Sequence, residues 1–268
     1  MRRNLGPETP ELIAKKIQAG RGRGYLESYR PWIQVGEIRS SGEQRVVVGR
    51  KTGRSHHYLS RGESAHHLLV EFSDQVSDIR EQYPVLPLAQ TLDIASRIGI
   101  KHPSFSGHPT VITFDFLLTV ERGEGTSGEL VRSIKRSEDL VKQRVLEKLA
   151  LEREICAELG YRYEIVTEKQ MPPILISNLR FLWNWTFLSR ALPDSREQEL
   201  FKRVLCMHDF DDTLGTVLEQ TAKKLNISRN LSIWMFQYCA WIKMIKLDLN
   251  VPIALTKPHA GLRINYAN

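Results

Sequence analysis

Residues 110–120 read TVITFDFLLTV, and residues 129–135 read ELVRSIK. In the first run Ile112, Phe114, Phe116, Leu118 and Val120 fall on one wholly apolar face of a strand, with Val111, Thr113, Asp115, Leu117 and Thr119 on the other. A Gly-rich turn from Gly123 to Gly128 leads into a partner strand from Glu129 to Lys135. Ser133 and Lys135 are two apart and share a face of that strand, with Ile134 opposite. Pairing through the turn would set that face beside Asp115.

The same pattern extends outward from this hairpin. Ser137 is read as the cap of a long helix from Glu138 to Leu159, with an acidic first turn and an apolar stripe of Val141, Val145, Leu149 and Ile155. Gly160 ends it, and Tyr161 to Thr167 returns as a strand. Upstream, Ser60 caps a helix from Arg61 to about Phe72, with Glu63 in its first turn. Val76 to Arg80 and Tyr83 to Leu86 read as extended, and Thr91 to Ile98 as a short helix. Nearer the start come a helix from Glu11 to Gln18 and strands from Trp32 to Ile38 and Gln44 to Val48, turned by Ser40-Ser41-Gly42. The first domain is therefore α/β.

Met171-Pro172-Pro173 marks a boundary, beyond which the pattern is mainly helical. Thr213 to Leu225 and Asn230 to Lys246 read as helices about a turn at Asn226-Ile227-Ser228, followed by a strand from Leu247 to Leu255. That order is similar to a winged helix-turn-helix. The four tryptophans Trp183, Trp185, Trp234 and Trp241 are read as core residues.

The net charge is +7, and its placement matters more than its size. Residues 1–54 hold 12 Lys and Arg against 5 Glu, so the whole excess lies in this leading segment. A basic segment can collect phosphates, and Arg21, Arg23, Lys51, Arg54, His56 and His57 are its candidate DNA contacts. The other reading is a solvated arm with no partner. No apolar run reaches the ~18 residues of a membrane span. The N-terminus carries no apolar signal core, and three scattered cysteines suit a reducing cytoplasm and give no zinc spacing. The adjacent pairs His56-His57 and His66-His67 point their members apart, so a metal shared within a pair is not expected. Cys206 and His208 beside Asp209, Asp211 and Asp212 read as an ordinary acidic loop. No P-loop is present, which argues against an ATPase.

Glu63, Asp115 and Lys135 together are the parts of a magnesium-dependent phosphodiester nuclease: two carboxylates for a hard cation and a lysine for water or leaving charge. Each has a second reading. Asp115 is either held by a metal or cation, or wet on an exposed strand face. Ser133 and Lys135 either flank it or face solvent. Glu63 fits the S-x-x-E capping box, in which it bonds the Ser60 N–H, and its company with Asp115 and Lys135 favours the metal.

A series of ordered blocks carries a resemblance. Gly20-Arg21-Gly22-Arg23-Gly24, Tyr29-Arg30-Pro31-Trp32, Ser40-Ser41-Gly42, Lys51-Thr52-Gly53-Arg54-Ser55-His56-His57-Tyr58-Leu59-Ser60, Asp78-Ile79-Arg80-Glu81-Gln82-Tyr83-Pro84, Ile98-Gly99-Ile100-Lys101-His102-Pro103 and Asp115-Phe116 resemble the TnsA family. These are the endonuclease subunits of Tn-seven-type bacterial transposases. The similarity is dense from Gly20 to about Leu159 and thin beyond it.

The resemblance implies a restriction-endonuclease-like catalytic domain over residues 1–168, a mixed sheet flanked by helices, and a winged-helix-like domain over 169–268. It places the metal-binding carboxylates on Glu63 and Asp115 and the lysine on Lys135. Two residues before that lysine such nucleases commonly carry Glu, Asp or Gln, and here Ser133 stands there, with the Ile134 backbone carbonyl or a water to complete the metal shell. The implied cofactor is Mg²⁺, with Mn²⁺ as substitute. The implied activity is cleavage of the 5′ strands at transposon ends in cut-and-paste transposition, in the bacterial cytoplasm. The implied partners are double-stranded DNA, a TnsB-like transposase and a TnsC-like AAA+ regulator, with no membrane. A stand-alone restriction or repair endonuclease and a non-catalytic DNA-binding adaptor remain the alternatives.

Overall fold

The structure, a computed structural model, describes residues 7–37, 43–123, 125–187, 191–208 and 212–258. The chain forms two compact units, Met1–Met171 and Pro172–Asn268. The expected turn at Ser40-Ser41-Gly42, the end of the expected strand at Ile38, and Asp209 and Asp211 lie outside the described residues.

The first unit runs α1 (Pro10–Gln18), β1 (Arg45–Val48), β2 (Ser55–Tyr58), α2 (Arg61–Phe72), β3 (Val76–Pro84), α3 (Leu88–Arg97), the two-residue strands β4 (Ser104–Phe105) and β5 (His108–Pro109), β6 (Thr113–Gly123), β7 (Thr126–Ile134), α4 (Gln143–Leu159) and β8 (Arg162–Val166). Its main sheet has the order β3-β6-β7-β8. β3, β6 and β7 are antiparallel neighbours, and β8 joins β7 in parallel. That parallel step needs a crossover, which α4 supplies. The sheet is thus mixed, as expected.

Helices cover both faces. Phe116, Leu118 and Val120 of β6 pack with Tyr58, Val70, Val76, Ile79 and Leu130. Leu117 and Val131 point the other way, into a core with Ile94, Leu151 and Ile155. Ile112 and Phe114 join this second core, so the single apolar face expected for residues 112–120 does not hold along its whole length. The break falls where Gln82 of β3 takes a left-handed conformation (φ 47°) beside Tyr83, which pairs with Phe114.

Other expectations are corrected. Residues 32–37 are turn and coil, because Trp32 is fully buried with its N–H on the Gln82 carbonyl, and Arg21 bonds the Trp32 carbonyl. The helix expected from Glu138 is broken: Ser137–Val141 is a 3-10 turn, Lys142 is extended, and α4 begins at Gln143. Ser137 caps nothing there, since its N–H and hydroxyl bond the Glu168 carboxylate, and Val141 is 83% exposed. Gly160 does close α4, in the left-handed conformation (φ 69°) that suits glycine.

The second unit holds α5 (Pro173–Trp183), α6 (Ser195–Leu205), α7 (Leu214–Leu225) and α8 (Arg229–Trp241). All four of its tryptophans are buried, and the Trp234 indole donates to the Trp185 carbonyl at 2.8 Å. Thr213 and Ser228 cap α7 and α8 through their hydroxyls. The strand expected from Leu247 to Leu255 does not form. The buried Asn178 side chain bonds the Leu249 and Val251 carbonyls and the Ile253 N–H, while the Leu255 and Lys257 carbonyls accept the first N–H groups of α7. These contacts satisfy backbone groups that a ladder would otherwise use. No named strand occurs among the described residues of this unit. No described helix is long and apolar enough to cross a membrane.

Candidate active site

The register of β6 on β7 sets Phe116 opposite Arg132, which brings Asp115 level with Ser133 one step further on. One carboxylate oxygen of Asp115, Oδ2, accepts the Ile134 N–H at 2.7 Å and the Lys135 ammonium at 2.8 Å. Asp115 is therefore neither simply wet nor unpaired, with its side chain 20% exposed and that of Lys135 25%. Burial works against the Lys135 charge, yet the carboxylates of Asp115, Glu152 and Glu63 hold its pKa above the ordinary lysine value.

Glu63 reaches this point through the first turn of α2. Gly62 packs on the end of β7 so closely that a Cβ there would stand 2.9 Å from Ile134 Cγ2. The Ser60 hydroxyl accepts the Glu63 N–H at 3.2 Å, as a cap should. The reciprocal bond is shifted by one residue. Glu63 Oε2 accepts the Leu59 N–H at 3.0 Å and the Gln82 amide at 3.1 Å, while Oε1 accepts the Ser60 hydroxyl at 2.8 Å. Burial first, and then the Asp115 charge, raise its pKa from 4.5 to about 7. Capping and proximity to Asp115 are thus both present in one side chain.

Ser133 does not face this pair as a free donor. It is fully buried, and its hydroxyl donates to Glu152 of α4, which also accepts the Tyr163 hydroxyl at 3.1 Å. The same hydroxyl accepts from Tyr163 at 3.3 Å. Sequence reading missed Glu152. Its signal was an acidic residue set between Leu149 and Cys156 on the inward stripe of α4, where each neighbour is buried. Burial, with Asp115 adding to it, raises the Glu152 pKa from its ordinary value.

Four of the six candidate DNA contacts in the leading segment are held by the protein itself. The Arg54 guanidinium forks onto Glu81 at 2.7 and 2.9 Å and also bonds the Ile79 and Leu26 carbonyls. His56 is wholly buried on the same Glu81 at 2.8 Å. Arg21 pairs with Glu37, and His57 Nδ1 accepts the Val35 N–H at 3.1 Å. These four make protein contacts instead of presenting free phosphate donors, because each found a carboxylate or backbone partner within the fold. Lys51 is half-buried, and Arg23 stays exposed.

A cleft of about 1020 Å³ opens at Lys135, lined by Ser60, Arg61, Gly62, Ile134 and Arg136. Arg61 and Arg136 are respectively 83% and 68% exposed there. A mixed sheet between helices, with Asp115 on β6 paired to Lys135 at the end of β7 and a buried glutamate brought in by a helix, fits a nuclease-type α/β domain. Residues 73–168 match the family described as TnsA-like endonuclease N terminal. Over 172 residues the chain is 39% identical to the transposon Tn7 transposition protein TnsA of Escherichia coli, covering 64% of this chain. Both matches are to TnsA-type proteins. The matched stretch spans 62% of that relative's length. Asp115, Ser133, Lys135 and Glu152 fall within the family match, and Glu63 precedes it.

Proposed function

We propose that the chain is a magnesium-dependent DNA endonuclease, the subunit of a heteromeric transposase that cleaves the 5′ strands at transposon ends during cut-and-paste transposition. The observation that carries this reading is the Lys135–Asp115 ion pair at 2.8 Å, locked by the Ile134 N–H, with Lys135 and Ile134 lining the cleft and Glu63 close enough for Asp115 to raise its pKa.

The donor set fits a hard cation. Asp115 commits only Oδ2 among the described residues, and the proximity of two carboxylates has an electrostatic cost that a dication removes. Asp115 and Glu63 would hold Mg²⁺, with the Ile134 carbonyl as a further oxygen and Mn²⁺ as a substitute. A dication held there would supply an activated water and charge compensation for the phosphorane oxygens. Lys135, fixed by Asp115, orients that water or stabilises the developing negative charge. Arg61 and Arg136 on the cleft wall, paired with Glu43 and with Glu138 and Asp139, would exchange these exposed partners for the flanking phosphates. The products are a 5′-phosphate and a 3′-hydroxyl.

The partners in this reading are a TnsB-like transposase, which cuts and joins the 3′ ends, and a TnsC-like AAA+ regulator on the second unit. α7, the turn at Asn226 and α8 keep helix-turn-helix spacing, which supports a winged-helix relative without its wing among the described residues. The test is end-labelled transposon-end DNA incubated with the partner transposase and Mg²⁺. The wild-type chain should cut the 5′ strand only in the complete mixture. Asp115→Ala should abolish cutting while retaining DNA binding. Unchanged cleavage by Asp115→Ala refutes the reading, and cutting without the partner points to a stand-alone nuclease.

A further inference from the structure

A second cluster in the first unit uses none of the residues discussed above as metal ligands or catalytic groups. We propose that His56, His67 and Glu71 form a buried structural site for a transition-metal dication of the zinc class. His56 comes from β2, while His67 and Glu71 lie one turn apart on α2. Their ligand atoms fall within 4.8 Å of one another, and all three residues are buried. Neither adjacent histidine pair converges by itself; one member of each pair does, because β2 and α2 pack together.

Each candidate ligand is already oriented by a neighbour. His56 Nδ1 is held by Glu81 at 2.8 Å, the carboxylate–imidazole arrangement found behind metal-bound histidines. The Tyr58 hydroxyl holds His67 Nδ1 at 2.7 Å. Glu71 accepts the backbone N–H groups of Arg50 and Lys51 at 3.1 and 3.2 Å. The inner atoms then meet. His67 Nε2 lies 3.8 Å from Glu71 Oε1. Gly49 roofs the place: a Cβ there would come within 2.4 Å of His56 Nε2 and 2.8 Å of Glu71 Oε1. The Thr52 hydroxyl, 2.7 Å from His56 Nε2, stands as a fourth donor, or gives way to a water.

Tetrahedral zinc with bonds of ~2.0–2.1 Å sets its donors about 3.4 Å apart, so side-chain shifts of roughly 1 Å close this set. Two imidazoles favour zinc, cobalt or nickel over magnesium. A bound ion would clamp the 49–54 turn and β2 onto α2.

The full chain, purified without a histidine tag, is stripped with chelator, loaded with zinc and washed. It should retain about one zinc per chain, and cobalt loading should give the visible absorption of a tetrahedral site. Asp115→Ala should keep the ion, which separates this site from the proposed nuclease centre. His67→Gln and Glu71→Gln should each drop retention to under about a tenth, and Tyr58→Phe should weaken zinc binding about tenfold. A wild-type chain that retains no zinc and gives no cobalt spectrum overturns the proposal, a result that needs no variant to fold. Undiminished zinc in both His67→Gln and Glu71→Gln overturns it equally.

Discussion

Replacing Glu63 by glutamine isolates the electrostatic cost of the candidate site. Glu63 is 6% exposed, and burial together with the Asp115 charge raises its pKa from 4.5 to about 7. An acid whose pKa rises on folding binds more protons in the native state between those two values. Its favourable contribution is complete below pH 4.5 and is lost as the pH climbs through about 7. At about 1.4 kcal/mol per pH unit, the interval amounts to roughly 3 kcal/mol. The introduced amide would mimic the protonated acid: its carbonyl can accept from Leu59 and Gln82, and its NH₂ can donate to the Ser60 hydroxyl. Urea unfolding of metal-free wild type and Glu63→Gln, measured from pH 4.5 to 8, should show the variant gaining on the wild type by about 3 kcal/mol across the range, with the gain flattening above pH 7. Added Mg²⁺ should shrink that gain by stabilising the ionised wild type. A difference between the two proteins that stays constant with pH refutes the placement of Glu63 against Asp115.

Lys135→Met removes the ammonium but keeps much of its stem, and should lower cleavage about 10²–10³-fold in the end-labelled assay while leaving DNA retention in a filter assay within about twofold. Glu81→Gln strips the partner from the buried Arg54 and should cost about 3–5 kcal/mol by urea unfolding; a loss below about 1 kcal/mol shows that Arg54 finds water instead. Phe116→Ala empties a fully buried position between Tyr58 and His66 and should cost about 3–5 kcal/mol, whereas Val141→Ala, at an exposed position, should stay within about 0.5 kcal/mol.

The elements that position the site were legible because they rest on local signals. Alternation in residues 113–120, glycines in the hairpin turn and Ser60 before a helical run each act over a few residues. The break at Lys142 was not legible, since the acidic first turn and apolar spacing continue smoothly through it. What stops the helix is Ser137 bonding Glu168, a partner 31 residues away. The strand expected at Leu247 failed for a similar reason, with Asn178 supplying from 71 or more residues away the bonds that a ladder would have made. Asp115 and Lys135 could be placed together from the hairpin alone. Glu152 could not, because joining α4 to β7 depends on how the crossover packs.

The same distinction separates a count of charges in the leading segment from the charge it presents. An excess of +7 in residues 1–54 is a property of the chain, whereas a phosphate responds to the charges that remain exposed. Arg54 and Arg21 lie against Glu81 and Glu37, so their charge is largely spent inside the fold. At the candidate site the imbalance has the opposite sign. Asp115, Glu63 and Glu152 surround one Lys135, and when all are ionised the group carries a formal charge of −2. An anionic phosphodiester is repelled by such a group unless a dication enters first or protons bind, and protons on Glu63 would remove the very oxygens that the chemistry uses. Lys135 alone cannot correct the balance, because Asp115 already holds it at 2.8 Å. A dication at this point would offset the charges that the fold gathers there, which is the part the proposed reaction assigns to it.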